Sequence, residues 1–299
     1  MIKKLLSFEY MGLPQWGVLT ADESGIYSTI SLEEAFFLPF PETLLEFIEQ
    51  GNEGILALAT AVEKNEEEQL VTPIPLDAVR ILPPIPQPAR NIFCVGKNYS
   101  DHIKEFDRTA LADIPKKPVI FTKAASSVIG PEASIDLHED ITSMVDYEGE
   151  LAVIIGKAGT RITAEEAMDH VYGYTILNDV SARDVQADHI QWFLGKSMDT
   201  FCPMGPYILM RDAAPSQFTV TTKVNGEVRQ DDSTEQFIFS LPEIIRTLSA
   251  GMTLQPGDII ATGTPAGVGV GFKPPRLLKS GDVVEITISD IGTLRNPVK

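Results

Sequence analysis

The sequence predicts a strand-rich α+β protein in two unequal parts, and three observations carry that expectation. Short alternating or β-branched runs dominate after residue 90, helical patterns concentrate before residue 70, and six prolines crowd the sixteen residues from Pro73 to Pro88. Proline fixes φ and removes a backbone donor, so the crowded stretch is expected to be extended rather than helical. The expected organisation is a small α+β domain over residues 1–70, a connector over 71–90 and a strand-rich domain over 91–299.

In chain order, residues 17–30 read as a hairpin, and residues 41–50 and 53–64 as helices that end in the acidic run Glu66-Glu67-Glu68. Nothing catalytic stands out in this first part, and a small cap or dimerisation element is the expectation. Residues 91–96 read as a short buried strand closed by Gly96, followed by a helical segment. Residues 146–156 form an apolar β-branched run that starts with acids. Residues 164–170 and 181–189 read as short helices, and 193–206 as a turn-rich stretch. Asn225-Gly226 inside 218–230 is a strong hairpin signal, because both central residues of a type I′ turn need positive φ. Residues 242–249 read as a helix stopped by Gly251, and 281–288 as an alternating strand. No internal repeat is present.

Composition excludes several classes. The 299 residues include 42 Asp and Glu against 24 Lys and Arg, a formal charge of -18. No surplus of cations exists to replace phosphate counterions, so nucleic acid is not an expected partner. An anionic substrate must then be drawn by local charges rather than by the whole-protein field. The opening Met-Ile-Lys-Lys-Leu-Leu-Ser-Phe is interrupted by Glu9 before it reaches the length of a signal sequence, and no apolar stretch is long enough to span a bilayer. Cys94 and Cys202 show no paired spacing and read as small buried residues of a reducing compartment, so a cytoplasmic location is expected.

Asp146-Tyr147-Glu148-Gly149-Glu150 is the most informative segment. In a continuous strand, alternate residues share a face, so three carboxylates would crowd together and require a compensating cation. With Asp179 after the next apolar segment, the donors are all oxygen, which favours Mg²⁺, Mn²⁺ or Ca²⁺ over Zn²⁺. Spacing alone fits the solvated face of an antiparallel sheet equally well. Gly149 is expected to let another backbone approach. His102 and Glu105 lie three apart on a predicted helix, where a carboxylate orients an imidazole, a suggestive pairing. Lys196 reads either as a charge clamp for a carboxylate or enolate, or as a solvated loop lysine. The glycines of 263–271 offer backbone N–H groups to an anion but lack a P-loop's Lys-Ser/Thr, and a plain glycine turn is the commoner reading.

Five segments, in this order, resemble the fumarylacetoacetate hydrolase family. They are Val-Gly-Lys-Asn-Tyr-Ser-Asp-His-Ile-Lys-Glu (95–105), Asp-Tyr-Glu-Gly-Glu-Leu-Ala-Val-Ile-Ile-Gly (146–156), Tyr-Thr-Ile-Leu-Asn-Asp-Val-Ser-Ala-Arg-Asp-Val-Gln (174–186), Gly-Lys-Ser-Met-Asp-Thr-Phe-Cys-Pro-Met-Gly-Pro (195–206) and Gly-Asp-Ile-Ile-Ala-Thr-Gly-Thr-Pro-Ala-Gly-Val-Gly (257–269). The resemblance implies a rolled mixed β-sheet in a homodimer, with one Mg²⁺ or Mn²⁺ per chain held by Glu148, Glu150 and Asp179. It further implies a water-activating dyad of His102 and Glu105, a catalytic Lys196, and a substrate site lined by Arg183, Gln186 and Thr264, with Asp146 outside the first shell of ligands.

The implied substrate is a small 2-oxo acid, cleaved at a C–C bond to give pyruvate, as in oxaloacetate decarboxylase or acylpyruvate hydrolase. Family members that act as 2-hydroxyhepta-2,4-diene-1,7-dioate isomerase or 5-oxopent-3-ene-1,2,5-tricarboxylate decarboxylase supply an alternative within enzymes. A reading from another class is a regulatory or scaffold protein whose acidic first domain docks a protein partner, against which the intact constellation argues.

Overall fold

The computed structural model describes residues 2–105 and 115–299. The first strands are β1 (Lys4–Tyr10), β2 (Leu13–Leu19), β3 (Gly25–Ser28), β4 (Ile74–Pro75), β5 (Arg80–Ile81), β6 (Ile92–Gly96), β7 (Val119–Lys123) and β8 (Val128–Ile129). They are followed by β9 (Val145–Asp146), β10 (Gly149–Ile155), β11 (Val171–Asn178), β12 (Ser181–Ala182) and β13 (Cys202–Met210). The last are β14 (Thr219–Val224), β15 (Glu227–Ser233), β16 (Ile259–Ala261), β17 (Val283–Ile288) and β18 (Gly292–Pro297). The α-helices are α1 (Thr29–Phe36), α2 (Leu44–Gln50), α3 (Asn52–Glu68), α4 (Ser100–Glu105), α5 (Arg183–Asp188), α6 (Phe193–Lys196) and α7 (Leu241–Ser249).

One mixed sheet in the order β4-β3-β2-β1-β13-β11-β10-β16-β6-β7 organises the chain, with β5 on β1 and β8 on β13. A second sheet, β15-β14-β17-β18, packs against it. Leu151, Val153 and Ile155 of β10 join the core that contains Val220, Ile286 and Leu294, while Ala152 and Ile154 join the core built with Phe47, Ile48, Leu58 and Trp16. Burial on both faces explains why β10 reads as an unbroken apolar run. The second core is shared between the parts on either side of the prolines.

Local chemistry accounts for the element ends. Thr43 and Glu46 form a reciprocal capping box at the start of α2, with the Glu46 N–H on Thr43 Oγ1 at 3.2 Å and the Thr43 N–H on Glu46 Oε2 at 3.1 Å. Asn225 and Gly226 take φ values of 53° and 78° between β14 and β15, as the hairpin signal requires.

Several expectations change. The 17–30 hairpin forms from β2 and β3, but its end already belongs to α1. The proline-rich stretch is not a plain extended connector: β4 pairs with β3 and β5 with β1, and a 3₁₀ turn at Leu76–Ala78 separates them. Ser181–Ala182 is a strand paired with β9, and the helix starts only at Arg183. The largest difference is β13, whose first half, residues 202–206, was not expected from a turn-rich reading of 193–206. Its nine residues are all buried, and the register of β11 on β13 slips between Tyr174 and Ile176, beside Pro206. The missing N–H of that proline falls where the ladder is already broken, so Pro206 does not end the strand.

Candidate active site

Strand directions bring the chemistry together. β10 is antiparallel to both β11 and β16, and β16 is parallel to β6. The start of β10 therefore lies beside the ends of β11, β16 and β6, which deliver Glu148 and Glu150, Asp179, Thr264 and the loop leading to α4. The strand with the acids is interrupted at Tyr147 and Glu148, so the three alternate carboxylates do not share one face. Asp146 diverges: its side chain accepts the N–H groups of Gly269 at 2.7 Å and Val270 at 3.0 Å and pairs with Arg183. Gly149 is required, but by side chains rather than by a backbone. A Cβ there would meet Thr222 Oγ1 at 2.2 Å.

One carboxylate atom from each of Glu148, Glu150 and Asp179 lies within 4.8 Å of the others, and all three residues are buried. Oxygens around a hard divalent cation at roughly 2.1–2.5 Å reach about that separation across the ion. The triad can therefore hold an ion, and its all-oxygen donors fit Mg²⁺ or Mn²⁺. Cations surround it. Lys196 Nζ bridges Glu148 at 2.8 Å and Asp179 at 2.7 Å, Lys123 Nζ reaches the other Asp179 oxygen at 2.6 Å, and Arg183 Nη1 reaches Glu148 at 2.6 Å. Four acids with Asp146 against three cations leave one carboxyl in the cluster without a cation.

That carboxyl is Glu150, which among the described residues has no ion pair and accepts the Gly263 N–H at 2.8 Å. Burial, reinforced by the Asp179 and Glu148 carboxylates, pushes Glu150 well above the usual carboxylate range. Burial also opposes ionisation of Glu148, but Lys196 and Arg183 overcome it and hold that carboxyl well below the range. A divalent cation would relieve the repulsion at Glu150 and turn the cluster's net charge positive, a suitable host for an anion.

His102 Nδ1 and Glu105 Oε2 lie 3.0 Å apart on α4, as their spacing predicts. The other Glu105 oxygen accepts the Gly267 N–H at 2.7 Å. The glycine-rich loop of 263–271 thus cradles anions, but they are the protein's own acids: Glu150, Glu105 and Asp146. A cavity of about 530 Å³ opens over these groups. His102, Glu148, Glu150, Arg183, Gln186, Lys196 and Thr264 all line it. Glu105 stands behind His102, and Asp179 behind Lys196. Thr264 Oγ1 donates to Gly149 O at 2.9 Å and accepts from Gln230 at 2.7 Å, while Gln186 accepts from Arg183 at 3.3 Å. Phe121 and Trp192 form an apolar wall with ring centroids 5.2 Å apart.

Lys196 is 2% exposed, which excludes the solvated-loop reading. Lys123 is the member of the cluster that sequence reasoning missed. A lone lysine closing the apolar run Val-Ile-Phe-Thr-Lys was the available signal, since a fully buried lysine needs an acid. Asn98 and Gln230, buried amides that tie loops together around the site, gave no signal by spacing.

The family model for the C-terminal region of fumarylacetoacetate hydrolase matches residues 91–299. The chain belongs to this family. Its relatives include a Bacillus subtilis protein named oxaloacetate tautomerase YisK, 51% identical over 86% of this chain and 87% of that one. Among solved structures, the fumarylacetoacetate hydrolase of Exiguobacterium antarcticum is 44% identical, covers 99% of both chains and superimposes with a TM-score of 0.80. A probable 2-hydroxyhepta-2,4-diene-1,7-dioate isomerase from Mycobacterium abscessus is 32% identical, with a TM-score of 0.78, covering 100% of this chain and 98% of the other. The family's strand-rich α+β architecture agrees with the mixed sheets seen here. No helix among the described residues is long and apolar enough to cross a membrane.

Proposed function

We infer that this family member is an enzyme that interconverts the enol and oxo forms of a small 2-oxo acid, with oxaloacetate as the substrate. The observation that carries enolisation is one cavity that opens over an oxygen-donor triad and is lined by two of its acids, a buried ammonium and a carboxylate-held imidazole. The choice of oxaloacetate is supported by 51% identity to a protein named for that tautomerisation.

The chain's own groups suit the proton movements. Converting enol to oxo form adds a proton at C3 and removes one from the C2 hydroxyl. Glu105 holds Nδ1 of His102, which assigns Nε2 as the ring atom that exchanges a proton with C3. Lys196, buried between Glu148 and Asp179, sets a positive charge where the oxygen at C2 gains negative charge. Arg183, anchored by Asp146 and Glu148, fixes the rim of the same wall. Glu148, Glu150 and Asp179 would hold a Mg²⁺ or Mn²⁺ ion, which when bound supplies a Lewis acid for the substrate's carboxylate and oxo oxygens.

Oxaloacetate decarboxylation and acylpyruvate hydrolysis also place negative charge on the oxygen at C2, but as a pyruvate enolate, released by loss of CO₂ in the first and, after water attacks the distal carbonyl, by C–C cleavage in the second. A specific observation favours keeping hydrolysis as the second reading: a maleylpyruvate hydrolase from Sphingobium sp. SYK-6 is 31% identical and superimposes with a TM-score of 0.77. The test follows loss of the oxaloacetate enol by ultraviolet absorbance and pyruvate release in the same Mg²⁺- or Mn²⁺-loaded sample. Tautomerisation predicts catalysed enol loss without matching pyruvate. Pyruvate formed as fast as enol is lost would replace this reading by decarboxylation, and acetylpyruvate cleavage without oxaloacetate turnover would replace it by hydrolysis.

A further inference from the structure

The cavity contains a cation that the chemistry above leaves without a role. Lys97 lies in the loop between β6 and α4, is half-buried, and lines the same space as His102, Glu148, Arg183 and Lys196. Its backbone φ is 58°, in the left-handed region that a residue with a Cβ disfavours. Its neighbours hold it there. Asn98 is fully buried, donates to Phe239 O at 3.2 Å and Thr262 O at 2.8 Å, and accepts the Phe239 N–H at 2.8 Å. On the other side, a Cβ at Gly96 would meet the Trp192 ring at 2.8 Å, so the backbone passes close against that ring just before the lysine. A strained backbone fixed by its surroundings at a cavity wall points from geometry toward function.

Charge pairing points the same way. Arg183 is committed to Asp146 and Glu148, Lys196 to Glu148 and Asp179, and Lys123 to Asp179. Lys97 has no acidic partner among the described residues. With a divalent ion in the triad, the cluster carries a net charge of one positive unit, enough for one substrate carboxylate. A second carboxylate needs its own cation.

We propose that Lys97 binds the distal carboxylate of a 2-oxo dicarboxylate and so makes the site selective for dicarboxylates over 2-oxo monocarboxylates. This rests on the 2-oxo acid reading of the site and adds the substrate class. The two test substrates are oxaloacetate and 2-oxobutanoate, which replaces the distal carboxylate by a methyl group. Enol loss reports the first and deuterium exchange at C3 the second, each with the Mg²⁺-loaded full chain.

In Lys97→Met, the selectivity, defined as the ratio of kcat/KM for oxaloacetate to that for 2-oxobutanoate, is expected to fall by about 10-fold or more. That is the scale of a hydrogen bond to a charged group. The fall should appear in KM for oxaloacetate, and Lys97→Arg should recover most of it. A ratio within about twofold of wild type, or equal losses for both substrates, would overturn the proposal; the factor of two is a rough experimental margin. Should wild type turn over neither compound, the functional reading fails, and calorimetric binding of oxaloacetate and 2-oxobutanoate to both Mg²⁺-loaded proteins still decides the role of Lys97. Preferential binding of oxaloacetate lost in Lys97→Met supports it, and equal preference in both proteins overturns it.

Discussion

Glu150 differs from the other acids of the cluster in having no cation of its own among the described residues, and this gives it a distinct thermodynamic signature. Its carboxyl is raised by burial and by Asp179 and Glu148. A carboxyl whose folded pKa exceeds its unfolded value near 4.3 adds stability at low pH that is lost as pH rises through the folded value. Metal-free protein is therefore expected to lose stability as pH climbs above the ordinary carboxylate range, and Glu150→Gln to flatten that slope. In thermal melts at neutral pH, the metal-free variant should match or exceed wild type. Excess Mg²⁺ or Mn²⁺ at about 100 times Kd should stabilise wild type by roughly 2.7 kcal/mol and the variant much less. Equal stabilisation of both would remove Glu150 from the ion site. His102→Ala carries a separate expectation: enol loss should slow by roughly 10²-fold or more if the imidazole moves the proton, with metal affinity retained. An unchanged rate would leave His102 no part in proton transfer.

Among the elements, the loop of 263–271 does the most positioning. Its N–H groups fix Glu150, Glu105 and Asp146, which belong to the carboxylate triad, the His102 pair and the Arg183 anchor respectively. Gly271 makes this testable, because a Cβ there would meet Glu105 Oε1 at 2.5 Å, and a side-chain end can yield where a backbone cannot. Gly271→Ala is expected to cost little stability, to lower kcat by about 10-fold and to leave metal affinity alone; misplacement of a catalytic group is typically felt on that scale or above. In a Glu105→Gln background the same substitution should add almost nothing, since both act through one carboxylate. Additive losses would show that Gly271 matters for some other reason. Gly267 is a poorer probe: its φ is 104° and a Cβ would strike the Arg229 carbonyl oxygen, so its substitution would disrupt the loop itself.

Across the whole molecule, the two sequence segments flanking the prolines share one sheet and one core. β1 pairs with β13 through Lys4 to Leu209 and Leu5 to Ile208, and Phe47, Ile48 and Leu58 cover Ala152, Ile154, Leu177 and Ile208. Every residue lining the cavity nevertheless falls between Val95 and Val270. Deleting residues 1–70 is expected to leave the chemistry encoded but the fold unsupported. The product should be insoluble or molten, with the loss of several buried large side chains at about 1.5–3 kcal/mol each exceeding a typical domain's stability. A soluble truncation with a cooperative melt near that of the full chain would contradict this.

The sequence by itself determined the strand-rich class, the hairpin at Asn225-Gly226, the helix bearing His102 and Glu105, and the three acids brought together in the triad. These follow from local rules, such as turn chemistry and helical spacing, together with motifs that survive without knowledge of the fold. Only the tertiary structure decided that Asp146 turns to Arg183 and the N–H groups of Gly269 and Val270, that Lys123 and Lys196 are buried against Asp179, that the glycine loop serves internal carboxylates, and that β13 runs through two prolines. Each of those outcomes depends on partners from 17 to more than 120 positions away, as with Lys196 and Asp179 or Gly269 and Asp146. Burial and charge pairing between distant segments are set by how the sheets pack, and no local periodicity encodes them.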